Sequence, residues 1–361
     1  MNDRSFNLSD TSTAFLAPAA SANHTIRKTT LMDLLDAQFQ AFSGTFQILE
    51  IIGLIFLLLI VSETIWDFCT GERKKLGETS ANFAILLVNA LLERTAYGLV
   101  FVIGLFLVSP FALMEIHLTW WSWGLALVAA DFTYYWMHRW EHEIRILWAH
   151  HSVHHSSPEY NLTTALRLAW VEGLIEWVFF IPMIVLGFDL VQTIIALSIV
   201  VAYQTWIHTE KVGKLGWLDK ILNTPSVHRV HHGSNGKYLH KNYGGILIIW
   251  DRMFGTYQAE EEPVVYGLTT QIGTTNPVKV NFHEYVQIAR DLRKAGNLTS
   301  LFGYFSDGLA GNRNPEGNGG SVSGNLKTLQ SWLETVSWFQ ASQSTCGAPA
   351  QQVLQGSIRL L

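Results

Sequence analysis

The stretch DFTYYWMHRWEHEIRILWAHHSVHH, residues 131–155, decides how the rest of the chain is read. It closes an apolar, tryptophan-rich run and holds two compact histidine clusters, HRWEH (His138, His142) and HSVHH (His151, His154, His155). A third cluster, HRVHH, supplies His228, His231 and His232, and eleven of the 14 histidines fall between His138 and His240. On a helix, residues three or four apart share a face, so each cluster can aim two or three imidazoles at one point. Eight such imidazoles exceed the needs of one tetrahedral zinc and suit two metals, at roughly four protein ligands each. The pattern predicts a two-metal centre beside a membrane.

Composition points the same way. The 361 residues are 49% hydrophobic and 15% charged, with a positive mean hydropathy, whereas soluble domains are about 25% charged. An integral membrane protein is expected. A net charge of -5, with no basic stripe interleaved with aromatics, excludes a nucleic-acid partner. Cys69 and Cys346 stand far apart and outside the clusters, which suggests neither a disulfide framework nor thiolate ligands. The first thirty residues lack the apolar core of a cleavable signal, so insertion is expected to rely on the membrane helices.

Five segments approach the ~20 apolar residues that a bilayer core requires: residues 45–68, 82–108, 120–137, 168–188 and 190–207. The last two are joined at LGFD, residues 186–189, and form a predicted hairpin. The chain leaves after His155 and returns before His208, which puts every cluster on one side. Residues 1–44 read as a polar N-terminal segment, 45–260 as a membrane and catalytic domain, and 261–306 as its C-terminal extension. Residues 307–361 read as a Gly/Asn/Ser-rich linker followed by a short amphipathic helix around LQSWLETVSWF.

Lysine and arginine in short loops favour the cytoplasm. Arg73, Lys74 and Lys75 follow the first span, whereas the opposite loop, SPFALMEIH, has none. Lys211, Lys214, Lys220, Arg229, Lys237, Lys241 and Arg252 accompany the histidines. The histidine face is therefore expected in the cytoplasm and the amino terminus across the membrane.

Juxtamembrane clusters of ionisable residues are functional by default. His208, at the return of the hairpin, is a candidate ninth ligand. His150 pairs i, i+4 with His154 but falls out of register, and His240 is an even case between ligand and bystander. His24, His117 and His283 lie outside the constellation. Imidazole suits iron, zinc, copper and nickel; zinc has no redox chemistry, whereas a pair of irons could activate dioxygen and attack an unactivated C–H bond. Asp131, Glu141, Glu143 and Asp219 could hold imidazole N–H groups. Glu143, next to His142, is the favoured catalytic carboxylate. Tyr134, Tyr135, Trp136, Asn161 and Arg167 could line a channel or contact a head group. Glu172 and Glu176 are expected to line a polar entrance or to pair with Arg167. A histidine-rich metal-handling protein and a zinc hydrolase with Glu143 as general base are the competing classes.

The wording of DFTYYWMHRWEHEIRILWAHHSVHHSSPEYNLTTALR, NTPSVHRVHHG and KNYGGILIIWDRMFGTY resembles the fatty acid hydroxylase and sterol desaturase superfamily of membrane di-iron enzymes. YNLTTALR, QTWIHTE and the run through FGTYQAEEEPVVYGLT look like its alkylglycerol monooxygenase branch. The resemblance covers roughly residues 80–290. It implies an all-α fold, polytopic membrane helices capped by a cytosolic histidine-rich di-iron bundle. His138, His142, His151, His154, His155, His228, His231 and His232 match the metal positions, and His208 matches a further histidine of the branch. It also implies two Fe ions, O2, an external reductant (a pterin or a redox protein) and a membrane lipid substrate. Hydroxylation and desaturation share this histidine frame.

Overall fold

The computed structural model describes residues 43–71, 76–92 and 96–293. The expected polar N-terminal segment, the linker and the terminal amphipathic helix lie almost wholly outside them, as does His24. The described residues are helical, with no β-strand and two isolated antiparallel bridges, Leu222 to Leu247 and Gly233 to Tyr266.

Helix α1 (Ser43–Cys69) contains the one segment among the described residues, Gln47–Cys69, that is long and apolar enough to cross a bilayer by length and composition. Its Ile51, Leu54, Ile55 and Leu58 are exposed, while its last turns carry the polar ties. Glu63 accepts hydrogen bonds from Leu162 N and Thr209 Oγ1, and Asp67 pairs with Lys211 at 2.9 Å. The residues around His208 are thereby fixed to the end of α1.

The expected span at 82–108 resolves into α2 (Leu76–Leu92) and α3 (Gly98–Val108), on either side of residues 93–95, which are not described. The charged pair Glu93 and Arg94 interrupts the apolar run there. Helix α4 (Trp120–Glu143) opens on a Thr119/Ser122 capping box and continues past the expected end at 137 to carry the first histidines. Ile144 adopts an extended conformation (φ -110°, ψ 119°) between α4 and α5 (Arg145–His155), so the two pack against each other rather than run on.

Residues 168–188 depart most from expectation. They form 3-10 turns at Glu172–Leu174 and Glu176–Phe180, then the short α6 (Ile181–Val185) with Pro182 in its first turn. Two glutamates and Gly173 within five residues deny this segment a continuous apolar helix. The hairpin itself is present: Gly187 takes φ +97°, and the Asp189 carboxylate accepts from Val191 N and Gln192 N to cap α7 (Leu190–Thr205). Helices α3, α4, α6 and α7 share a core built on Leu105, Ala126, Ala130, Met137, Phe180, Met183 and Val200.

The remaining elements are α8 (Pro225–His231), α9 (Ile249–Phe254) and α10 (Pro277–Leu292). Asp131 of α4 anchors the segment before α9: its carboxylate accepts from Ile246 N, Leu247 N and Trp250 Nε1. Gly245 permits this approach, because a Cβ there would sit 2.8 Å from the Asp131 carboxylate and 2.7 Å from Val200. On the other side, Arg145 joins α5 to Glu284 and Asp291 of α10. Arg167, 1% exposed, ties α5 to α2 through the Val153 carbonyl, Glu78 and Asn82. Its carboxylate partner is Glu78 rather than the expected Glu172 or Glu176, which hydrogen-bond to each other.

Candidate metal centre

The nine expected histidines converge in two groups. His138, His142, His151, His155 and His231 form one, and His154, His208, His228 and His232 the other, with the candidate ligand atoms of each group within 4.8 Å of one another. A helix advances about 100° per residue, so histidines four apart diverge by about 40° and those three apart by about 60° in the opposite sense. In HSVHH the i, i+4 pair His151 and His155 enters the five-histidine group, and His154 enters the other. HRVHH does the reverse: His228 and His232 join the four-histidine group, and His231 crosses over. The three-histidine clusters therefore aim at two points each, not at one as their spacing suggested. Each motif ties the two groups together.

The rings are oriented by their other nitrogens. His138 Nδ1 donates to the Tyr243 carbonyl at 2.9 Å, His208 Nδ1 to the Gln204 carbonyl at 2.7 Å, and His231 Nδ1 to the Lys241 carbonyl at 3.0 Å. Glu141 holds His151 through Nδ1 at 3.2 Å and His150 through Nε2 at 3.1 Å. A carbonyl only accepts, so the Nε2 atoms of these ligand rings are bare lone pairs.

The Nε2 atoms of the two groups face one another, these and those of the remaining rings alike. His138 Nε2 lies 3.0 Å from His151 Nε2, which lies 3.1 Å from His155 Nε2. In the second group, His208 Nε2 lies 2.9 Å from His228 Nε2, 3.1 Å from His154 Nε2 and 3.2 Å from His232 Nε2. His142 Nε2 and His231 Nε2 are buried without a hydrogen-bond partner. Bare nitrogens at such distances repel unless a cation sits between them. Two nitrogens about 2.1 Å from a metal, at a right angle to each other, are about 3.0 Å apart, so the donor set fits an ion in each group.

Burial disfavours a proton on eight of the nine rings. Burial, then the neighbouring His151, lowers His138 to about 3, and burial lowers His208 to about 4. Burial and then surrounding histidines lower His142, His154, His155, His228, His231 and His232 as well. Burial opposes ionisation of Glu141, but His151 and His150 outweigh it and hold the carboxylate well below its usual range.

Glu143 is placed differently from expectation. Its Oε1 accepts from Arg139 Nε at 2.8 Å, one turn back on α4, and its Oε2 has no hydrogen-bond partner. The carboxylate that meets imidazoles is Glu141, three residues beyond His138 and on the inward side of α4. Asp131 and Asp219 bond backbone, Trp250 and Thr224 instead of histidine. His150 stands behind Glu141, outside both groups. His240, at φ 60°, also lies outside them. His117 is exposed beside Glu115, and His283 faces Ser152.

Tyr134 packs its ring 5.4 Å from His138. Tyr160, stacked on Tyr266 at 4.6 Å, covers His232 at 5.0 Å. Sequence reading missed that role for Tyr160, although the residue lies within the quoted YNLTTALR motif. A cavity of ≈ 540 Å³ reaches both groups, at His142, His155 and His231 of the first and His232 of the second, and its walls include Trp148, Gln271, Gln287 and Arg290.

The fold and the converging imidazoles define an all-helical domain whose two histidine groups could each hold a metal ion. Residues 123–256 match the family described as fatty acid hydroxylase. Among curated proteins, the chain is 50% identical over 168 residues to alkylglycerol monooxygenase of Homo sapiens, covering 46% of this chain and 38% of the relative. It is 40% identical over 238 residues to alkylglycerol monooxygenase of Xenopus tropicalis, covering 64% and 52% respectively. Ornithine lipid hydroxylase of Rhizobium tropici is 31% identical over 173 residues, covering 48% and 50%. The chain spans about half or less of the length of these relatives. No solved structure matches it.

Proposed function

We propose that this protein is a membrane-bound, O2-dependent di-iron monooxygenase that hydroxylates a lipid C–H bond. The observation that carries the proposal is the reciprocal division of nine histidines into two adjacent groups whose Nε2 atoms face one another. Two irons, when bound, supply the reduction of dioxygen and the attack on an unactivated C–H bond. The overall reaction is RH + O2 + 2 e⁻ + 2 H⁺ → ROH + H2O, with the electrons coming from an external donor, a pterin or a redox protein.

The chain's own residues hold this chemistry in place. His138, His142, His151, His155 and His231 would hold one iron; His154, His208, His228 and His232 would hold the other. Glu141 and the carbonyls of Gln204, Lys241 and Tyr243 fix which nitrogen of each partnered ring faces the metal. Tyr160 and Tyr266 cover one side of His232, and the polar cavity at His142, His155, His231 and His232 gives the donor an approach to both groups. The apolar helices α1, α3, α4 and α7 hold the domain in the bilayer as a multi-pass protein, with the histidine end in the cytoplasm.

The relatives named alkylglycerol monooxygenase make an ether lipid the favoured substrate. Hydroxylation of the carbon beside the ether oxygen gives a hemiacetal, which separates into an aldehyde and an alcohol. Incubating the iron-loaded protein with a synthetic alkylglycerol, a reductant and dioxygen tests this directly. Aldehyde release that stops without dioxygen is expected; an alkyl chain hydroxylated away from an intact ether, or no oxidation of the alkylglycerol at all, would overturn the ether-lipid reading.

A further inference from the structure

Beside α4 and α7 lies an apolar and basic patch that the metal centre does not use. Trp217, Ile221, Ile249 and Met253 are 67%, 40%, 37% and 61% exposed. Three hydrogen bonds make them one surface: Lys220 N donates to the Trp217 carbonyl, Ile248 N to the Ile221 carbonyl, and the Arg252 side-chain Nε to the Lys220 carbonyl. Met253 is one turn beyond Ile249 on α9. The exposed side chains of Lys220 and Arg252 flank the apolar residues, and Lys214 stands nearby in sequence. The Arg252 guanidinium lies 3.7 Å over the Tyr257 ring, an arrangement that keeps the cation at the surface.

The level of this patch follows from its anchors. Asp131 of α4 grips Ile246, Leu247 and Trp250, and the Tyr203 hydroxyl of α7 donates to the Asn223 carbonyl. Asp131 precedes the ligand His138 by seven residues, about 10 Å along a helix. Next along these helices come the exposed apolar Leu125 and Val128 of α4 and Val201 of α7. The patch thus sits where an apolar wall meets the histidine domain. An exposed tryptophan, aliphatic side chains and cations at one level are the features that seat a protein surface among lipid head groups.

We infer that Trp217, Ile221, Ile249 and Met253 dip into the bilayer interface while Lys220 and Arg252 bind the phosphates of anionic lipids. The occupant is an anionic membrane surface, chosen by charge complementarity. This rests on the membrane reading above, but not on iron or on any reaction.

The test places a spin label on the full-length protein as Met253→Cys in a Cys69→Ser, Cys346→Ser background. The protein is reconstituted in vesicles of phosphatidylcholine with or without phosphatidylserine. Leu58→Cys on α1 and Glu261→Cys on the exposed segment after α9 calibrate lipid and water. In phosphatidylserine vesicles, label 253 should show several-fold lower collision with an aqueous nickel reagent than label 261, and higher collision with oxygen. Phosphatidylcholine alone, or the added substitutions Lys220→Glu and Arg252→Glu, should move it toward water. Nickel access equal to label 261 in both vesicle types overturns the inference. So does low access to nickel and oxygen alike, which means protein covers the patch, and so does a depth indifferent to both anionic lipid and the charge reversals. Iron content and lipid oxidation, measured on the same samples, report separately on the proposed function.

Discussion

Oε2 of Glu141 lies 3.2 Å from Nδ1 of His151, which turns the Nε2 of that ring toward His138 and His155. Both partners are buried, and the second carboxylate oxygen takes His150 at 3.1 Å. One side chain therefore sets the tautomer of a ligand ring and fills the space behind it.

Replacing Glu141 with Leu should weaken metal binding by about 10–100-fold, the usual effect of losing a carboxylate behind a ligating imidazole. Glu141→Gln keeps an acceptor oxygen and should lose less. Competition with a calibrated chelator measures both; equal affinity in wild type and Glu141→Leu would remove Glu141 from this role.

His154 and His231 test the two-group division. His154→Ala removes one of four histidines from the second group and should leave about one tightly held ion per chain. His231→Ala should perturb the other group. Both variants should be inserted, folded and without lipid oxidation. Elemental analysis after mild chelation reads the metal counts; loss of both ions from each variant would mean the groups act as one.

Arg139→Ala and Glu143→Ala separate these residues from the ligand set. The Arg139–Glu143 pair is one turn long on α4 and touches no metal-group nitrogen at hydrogen-bond distance. Metal content should stay near wild type in both. A loss of half or more of the metal in Glu143→Ala would restore Glu143 to the coordination shell.

The metal-free protein should lose stability below neutral pH. His138 falls from 6.5 to about 3 on folding and His208 from 6.5 to about 4. The unfolded chain then binds more protons between those values, so stability is full above pH 6.5 and declines as pH falls toward 4. Denaturant titrations in detergent between pH 8 and pH 5 should show a falling midpoint after chelation. A flat profile would contradict the burial of neutral imidazoles.

Asp131→Ala strips three half-buried donors of their acceptor and should destabilise the fold by about 1–3 kcal/mol. Asp131→Asn retains one acceptor oxygen and should be milder. Thermal unfolding in detergent compares them, with an unchanged midpoint in Asp131→Ala as the opposing result.

The histidine clusters were legible because i, i+3 and i, i+4 spacing is a local property of a helix. His208 was legible from the return of the hairpin. The exchange of His154 and His231 between groups was not read, although the opposite rotations of third and fourth neighbours contain it. Adjacency to His142 in sequence points to Glu143, whereas direction around α4 points to Glu141. The carbonyls of Gln204, Lys241 and Tyr243 leave no side-chain signature at all. Hydropathy placed the α1 span and the Gly187 turn. It overstated the helicity of 168–188, where Glu172, Gly173, Glu176 and Pro182 break the backbone into short turns.

The central claim is two metals serving an oxygen-dependent lipid reaction. The most direct measurement is iron per chain and lipid product on one membrane-purified sample from an iron-replete host, with and without dioxygen and a reductant. About two irons per chain, with an oxygenated or cleaved lipid formed only when both are present, is the predicted result. Zinc alone, with no oxygen-dependent change in any lipid, would contradict it.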